Sequence, residues 1–204
     1  MPTDPTVSIE ERKLAAIMFT DMVGYSALAQ RDDKLVLELL EEHRQLLRDI
    51  FPRFYDADQT ASAVQFVASV DRQLVEDGTY FACETGRELV ACGGWSKRAK
   101  LYTGSGDAEG DDRLLDPATD AAHVRAMYTR PDWTRRGLGR RILEACEDAA
   151  RAAGFRTLTL GATLPGLPLY EAFGFRETGR EDVVMPDGTP LPCVWMEKPI
   201  DPPH

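Results

Sequence analysis

The residues best able to do chemistry in this chain stand close together, in Arg135-Arg136-Gly137-Leu138-Gly139-Arg140-Arg141. Two glycines separated by one residue let the backbone bend sharply, so that successive N–H groups and the start of a helix can face one anion. Arg135, Arg136, Arg140 and Arg141 crowd the bend, and a planar guanidinium suits phosphate oxygens. The expected ligand is a phosphate or pyrophosphate. On these residues alone a plainer reading stays open: a helix can begin after glycine for backbone geometry, and surface arginines can serve only solubility.

Such a bend needs a strand before it and a helix after it. Ala122 to Thr129 reads as the strand, and it enters the bend through Arg130-Pro131-Asp132-Trp133-Thr134. In the helix that follows, Leu138, Ile142, Cys146, Ala149, Ala150 and Ala153 fall on one face, and Gly154 ends it. A strand, Thr157 to Leu160, comes next, then the turn Leu164 to Pro168 and Leu169-Tyr170-Glu171-Ala172-Phe173-Gly174-Phe175. Two last strands, near Phe175 to Met185 and Leu191 to Pro199, flank Pro186-Asp187-Gly188-Thr189-Pro190, a turn sequence.

Upstream, Leu14 to Thr20 is an apolar run of strand length that stops at Asp21. Lys34 to Phe51 repeats Val36, Leu39, Leu40, His43, Leu46, Leu47 and Ile50 at helical spacing, and Pro52 closes it. One helix is expected between Asp58 and Glu76, and a hairpin from Thr79 to Glu84 and Glu88 to Trp95. Ser96 to Asp120, rich in glycine and acid, reads as a solvated, mobile loop.

The run from Ala122 to Phe175 resembles the acetyl-CoA-binding core of the GNAT family of N-acetyltransferases, and the resemblance extends over about residues 54–200. It implies an α/β (α+β) fold, a mixed, mostly antiparallel central sheet flanked by helices, and acetyl-CoA as cosubstrate. It implies that backbone at Met127, Tyr128 and Thr129 pairs with pantetheine and helps polarise the thioester. Arg135, Arg136, Gly137, Leu138, Gly139 and Arg140 would cradle the pyrophosphate, and Tyr170 would protonate the departing thiolate. For Tyr170 the plain alternative is a ring packed in the core with its hydroxyl at the rim. Two positions depart from the family pattern: Thr134 opens the glycine signature, and Thr163 replaces the asparagine often found before the tyrosine. Both concern contacts to CoA, so affinity is more in question than chemistry. No residue declares itself as general base; His123 and Glu84 are candidates acting through a water, although a strand histidine is more often structural.

Residues 12–26 resemble the opening strand and turn of a class III adenylate cyclase domain, a likeness that continues to about Phe51. In that family the aspartate matching Asp21 holds metal ions, as hard Mg²⁺ favours carboxylate oxygen. A second metal aspartate in a Gly-Asp hairpin turn is missing, since Ala61 to Val70 carries no acid. No metal site is therefore expected. Residues 1–11 are read as a flexible tail, 12–53 as a cyclase-like β-α segment serving as the first β-α of the fold, and 54–200 as the acetyltransferase domain. That arrangement requires Leu14 to Thr20 to lie beside Thr79 to Glu84.

Composition narrows the setting. With 43% hydrophobic and 28% charged residues, 204 residues can bury a sizeable core. A formal net charge of −10 argues against nucleic acid or an anionic membrane as partner, leaving the arginine bend as a local basic island. Cys83, Cys92, Cys146 and Cys193 lack paired spacing and read as buried thiols. No leader or spanning segment is evident, so a cytoplasmic protein is expected. The reading is an acetyl-CoA-dependent N-acetyltransferase acting on a small amine or an exposed amino group of a protein, with a homodimer open through the C-terminal strands. The alternatives are a CoA-binding sensor or scaffold without turnover, and a nucleotide cyclase remnant at Asp21.

Overall fold

The computed structural model describes residues 16–18, 33–68, 71–85, 88–99 and 113–200. Among these, seven strands form one sheet in the order β1-β2-β3-β4-β5-β7-β6. They are β1 (Ala16–Met18), β2 (Tyr80–Thr85), β3 (Glu88–Ser96), β4 (Ala122–Thr129), β5 (Thr157–Thr163), β6 (Arg176–Val184) and β7 (Pro190–Pro199). Every neighbouring pair is antiparallel except β4 and β5, which run parallel, so the sheet is mixed and mostly antiparallel as expected. The edge strand β1 sets Ile17 opposite Ala82, beside β2. Residues 1–15 and 19–32, with Asp21 among them, lie outside the described residues.

Helix α1 (Asp33–Ile50) ends where Pro52 enters a 3-10 turn, Phe51–Arg53. The single helix expected between Asp58 and Glu76 is two, α2 (Ala57–Phe66) and α3 (Arg72–Glu76). Two aspartates account for the difference. Asp56 closes a capping box with Gln59 and so starts α2 early. Asp71 accepts the Leu74 N–H at 3.2 Å, and its carboxylate is at the same time drawn to Arg125, which obliges the chain to turn and begin a new helix. The loop between β3 and β4 is also less free than its composition suggested: at its ends Arg98 bridges Leu114, the Ala99 N–H bonds Arg113 O at 2.9 Å, and Leu115 is buried. Its middle, 100–112, lies outside the described residues.

Helix α4 (Leu138–Ala152) lays Leu138, Ile142, Leu143, Cys146 and Ala150 into a core shared with Phe81, Trp95, Val124 and Leu160 of the sheet. This is the apolar face read from the sequence, widened by Leu143. A second cluster joins Leu47 of α1, Phe51, Tyr55 and Ala63 of α2 to Met185, Leu191 and Cys193 at the β6–β7 hairpin. All four cysteines are buried, unpaired thiols. Among the described residues no helix is long and apolar enough to cross a membrane, and no cluster of histidine, cysteine or acid side chains could hold a metal ion.

Candidate active site

The parallel pair β4 and β5 is joined over only two positions, Ala122 with Leu158 and His123 with Thr159. Beyond them β4 stays with β3 as far as Thr129, and β5 stays with β7 as far as Thr163. The facing edges of β4 and β5 therefore part into a wedge. Backbone N–H and C=O groups on such edges need partners, and an extended ligand chain laid between them as an extra strand supplies them.

A bulge in β4 shapes the mouth of this wedge. Cys92 pairs with Tyr128 and Gly94 with Arg125, so Ala126 and Met127 together face Gly93. Ala126 takes φ 56°, a left-handed conformation that costs a non-glycine residue about 1–2 kcal/mol. The extra residue inverts the alternation of side chains. Met127 turns to the α4 face, into the notch left by Gly93, where any Cβ would collide with its sulfur and with Ile142. Tyr128 then falls on the opposite face against His43 of α1, ring centroids 4.6 Å apart. One turn on from His43, Leu47 belongs to the cluster that includes Leu191 and Cys193 of β7, so α1 lies on the sheet face away from α4.

The glycine bend lies directly after β4. Pro131–Trp133 forms a 3-10 turn whose carbonyl at Pro131 accepts the Thr134 hydroxyl at 2.9 Å. Arg135 has φ 61° and Gly137 φ 80°, and Gly137 is the N-cap of α4. The first intrahelical bond runs from the Arg141 N–H to Gly137 O at 3.1 Å, and the N–H groups of Leu138, Gly139 and Arg140 precede it, without carbonyls of their own helix to bond. The two glycines have different reasons. A Cβ on Gly137 would meet nothing within 4 Å, so the space above the bend is open. A Cβ on Gly139 would stand 2.9 Å from Leu169 Cδ2, so its bareness lets α5 (Leu167–Phe173) approach α4.

The arginines have modest competitors. Arg136 lies 4.3 Å over the Trp133 ring; Arg140 pairs with the exposed Glu144 at 3.0 Å and lies over Phe173. Such exposed pairs are worth little and yield readily to a phosphate.

Tyr170 sits on α5, edge-on to Phe175 at 5.9 Å. Burial pushes its phenol pKa above the ordinary 10.0, with Cys146 adding a smaller push, so the proton stays on oxygen throughout the physiological range. Thr163 closes β5 and caps the following turn without a side-chain bond. The structure thus gathers Met127, Tyr128 and Thr129 at the wedge, residues 135–140 at the bend, and Tyr170 on the helix packed against α4. The two base candidates fall elsewhere: His123 is at the closed end, where β4 and β5 still pair, and Glu84 is on β2, two strands from the wedge.

Sequence reading missed two features. His43, held by burial to a pKa of about 4 and hence neutral, was legible as the one polar member of an apolar helical stripe. The Asp71–Arg125 ion pair joins residues 54 apart and left no local signal.

Comparisons with known proteins agree with this fold. An IAA acetyltransferase of Azospirillum brasilense is 31% identical over 147 residues, 68% of this chain and 91% of that protein. Among solved structures, a GCN5-related N-acetyltransferase from Rhodopseudomonas palustris superposes with a TM-score of 0.59 at 17% identity, covering 82% of this chain and 91% of that one. The PaiA N-acetyltransferase of Thermoplasma acidophilum, solved in complex with coenzyme A, gives 0.51 at 14% identity over 79% and 90%. The model of the GNAT acetyltransferase family matches residues 40–175, from within α1 to the start of β6, and with it the wedge, the bend and the tyrosine helix: this chain belongs to the GNAT family of acetyltransferases.

Proposed function

We propose that this enzyme transfers the acetyl group of acetyl-CoA, its cosubstrate, directly to an amine. The observation that carries the reading is the conjunction, in the middle of the sheet, of a β4–β5 wedge, an open glycine bend and a tyrosine on the helix packed against that bend. The diphosphate is received by the N–H groups and guanidinium groups of residues 135–140, which suit an anion at a helix start. Pantetheine lies as a strand in the wedge and brings the thioester to Met127, Tyr128 and Thr129. Holding donor and acceptor together supplies much of the rate by orientation, and backbone N–H groups aimed at the carbonyl stabilise the developing oxyanion. The neutral amine attacks the carbonyl carbon, the C–S bond breaks, and the sulfur takes the Tyr170 proton. The phenolate left on Tyr170 takes up the proton lost from the new amide nitrogen, which restores the phenol.

The acceptor is a small amine or an exposed amino group of a protein, and the cytoplasm fits the negative charge and buried thiols. The cyclase-like wording of residues 12–53 we read as marking the origin of the first β-α element, with a structural part in the present fold. A dimer through the C-terminal strands would leave the wedge accessible. Release of CoA thiol from acetyl-CoA across an amine panel, with acetylated products weighed by mass spectrometry, tests the reading. Acceptor-dependent release supports it; tight acetyl-CoA binding with no release for any amine would instead make the chain a binding module.

A further inference from the structure

Asp71 and Arg125 form a deeply buried charge pair that the proposed chemistry does not yet use. Arg125 Nε stands 2.7 Å from Asp71 Oδ2, with 5% and 1% of the two side chains exposed. Arg125 Nη2 donates to Asp71 Oδ1 at 3.2 Å, so the guanidinium meets both carboxylate oxygens, one through a hydrogen bond and one through a close charge contact. The same Oδ1 accepts the Leu74 N–H, so the carboxylate is fixed to the first turn of α3. Arg125 is the residue immediately before Ala126, the left-handed residue of the β4 bulge. On the other face, Met127 fills the Gly93 notch.

A buried ion pair is a poor source of net stability, because desolvation offsets most of the Coulomb attraction, and apolar pairs of the same volume often do as well. What it supplies and apolar packing does not is direction: a planar guanidinium held against both oxygens of a buried carboxylate restricts the orientation of the arginine, and hence of the backbone that bears it. We propose that the Asp71–Arg125 pair is a positioning device for acetyl transfer, which bolts β4 to α3 so that the strained turn at Ala126 presents the Met127 to Thr129 backbone to the thioester carbonyl. The inference rests on the acetyl-transfer reading above. The glycine bend is separate from the bolt, so cofactor affinity and cofactor alignment come apart.

The test uses the full chain with Asp71→Asn, which keeps an acceptor for the Leu74 N–H, with Arg125→Lys, which keeps the charge but not the planar guanidinium, and with the double replacement Asp71→Leu/Arg125→Met. Three quantities are measured: CoA affinity by calorimetry, kcat with an amine hit, and the ¹³C resonance of bound acetyl-CoA labelled at the carbonyl. The account expects CoA affinity within about 3-fold of wild type, and kcat down about 100-fold, the scale of an ångström of misalignment. It expects a downfield carbonyl shift on binding to wild type that is lost in the single variants, and a double variant that melts like wild type yet does not regain kcat or the shift. The proposal is overturned if the carbonyl shift survives in the variants, if kcat falls only in step with CoA affinity and melting temperature, or if the apolar double variant restores full turnover. A wild-type protein that binds acetyl-CoA with no carbonyl shift would sink the bolt and the polarising role of β4 together, whereas a shift that is lost in the single variants but comes with no turnover on any amine would sink the acetyl-transfer reading and leave only the pair's orientation of the bound carbonyl.

Discussion

Replacing Gly137 with alanine separates backbone strain from ligand exclusion. Gly137 has φ 80°, and an alanine there pays about 1–2 kcal/mol for a left-handed conformation. The added methyl group meets no protein atom within 4 Å, so no clash contributes to the loss. That strain is present with and without ligand and cancels from the dissociation constant. Whatever affinity is lost must come from the methyl standing where the diphosphate belongs. Phosphate oxygens approach N–H donors to about 2.7–2.9 Å, which leaves no room for a methyl group between them. Acetyl-CoA should therefore bind at least ~10-fold more weakly, ~1.4 kcal/mol, measured by calorimetry, while urea unfolding reports the separate ~1–2 kcal/mol. Gly139→Ala gives the contrast. Its Cβ would press Leu169 at 2.9 Å, an overpacking cost of about 1–3 kcal/mol, and it acts on α5 and Tyr170 more than on the bend. Loss of stability in Gly137→Ala with unchanged acetyl-CoA affinity would refute the assignment of the bend.

Tyr170→Phe should lower kcat about 100-fold or more and leave CoA affinity nearly intact, since it removes only the proton donated to sulfur; unchanged turnover would reduce Tyr170 to packing. His43 predicts an acid-sensitive stability. Its pKa falls from 6.5 unfolded to about 4 folded, so its contribution is complete above pH 6.5 and is lost as pH drops toward 4, up to ~3 kcal/mol. His43→Phe, which keeps a ring on Tyr128, should flatten the melting temperature across that window, and an unaltered slope would contradict the burial of the imidazole. The four buried thiols, with Cys92 and Cys193 pushed up to about 11, should be silent to Ellman's reagent in the native protein and all react in denaturant. A fast-reacting native thiol would count against the core packing described.

The parts of the fold legible in the sequence were those set by local patterns. Ala122 to Thr129 and the helix after the bend carry their period and their glycine stops within a few residues, and they occur where expected. The break between α2 and α3 was not legible, because the partner that draws Asp71 out of a continuous helix is Arg125, 54 residues away. The β4 bulge hid for a like reason. Its cause is the pairing of Gly93 against two residues of another strand, and nothing in the wording of Arg125-Ala126-Met127 marks an alanine with positive φ. At the site, residue types announced the bend and the tyrosine, while the distinct reasons for Gly137 and Gly139 needed coordinates: one faces open space and the other faces Leu169. His43 stood in plain view on an apolar stripe, and only its contact with Tyr128 gave it a place beside the wedge.

The most direct test is a crystal structure of the protein with CoA bound. The account predicts the diphosphate on the N–H groups of residues 135–140, pantetheine between β4 and β5, and the sulfur within hydrogen-bond reach of Tyr170 Oη, about 3–3.5 Å. A diphosphate bound elsewhere, or a sulfur well beyond reach of that phenol, would contradict it.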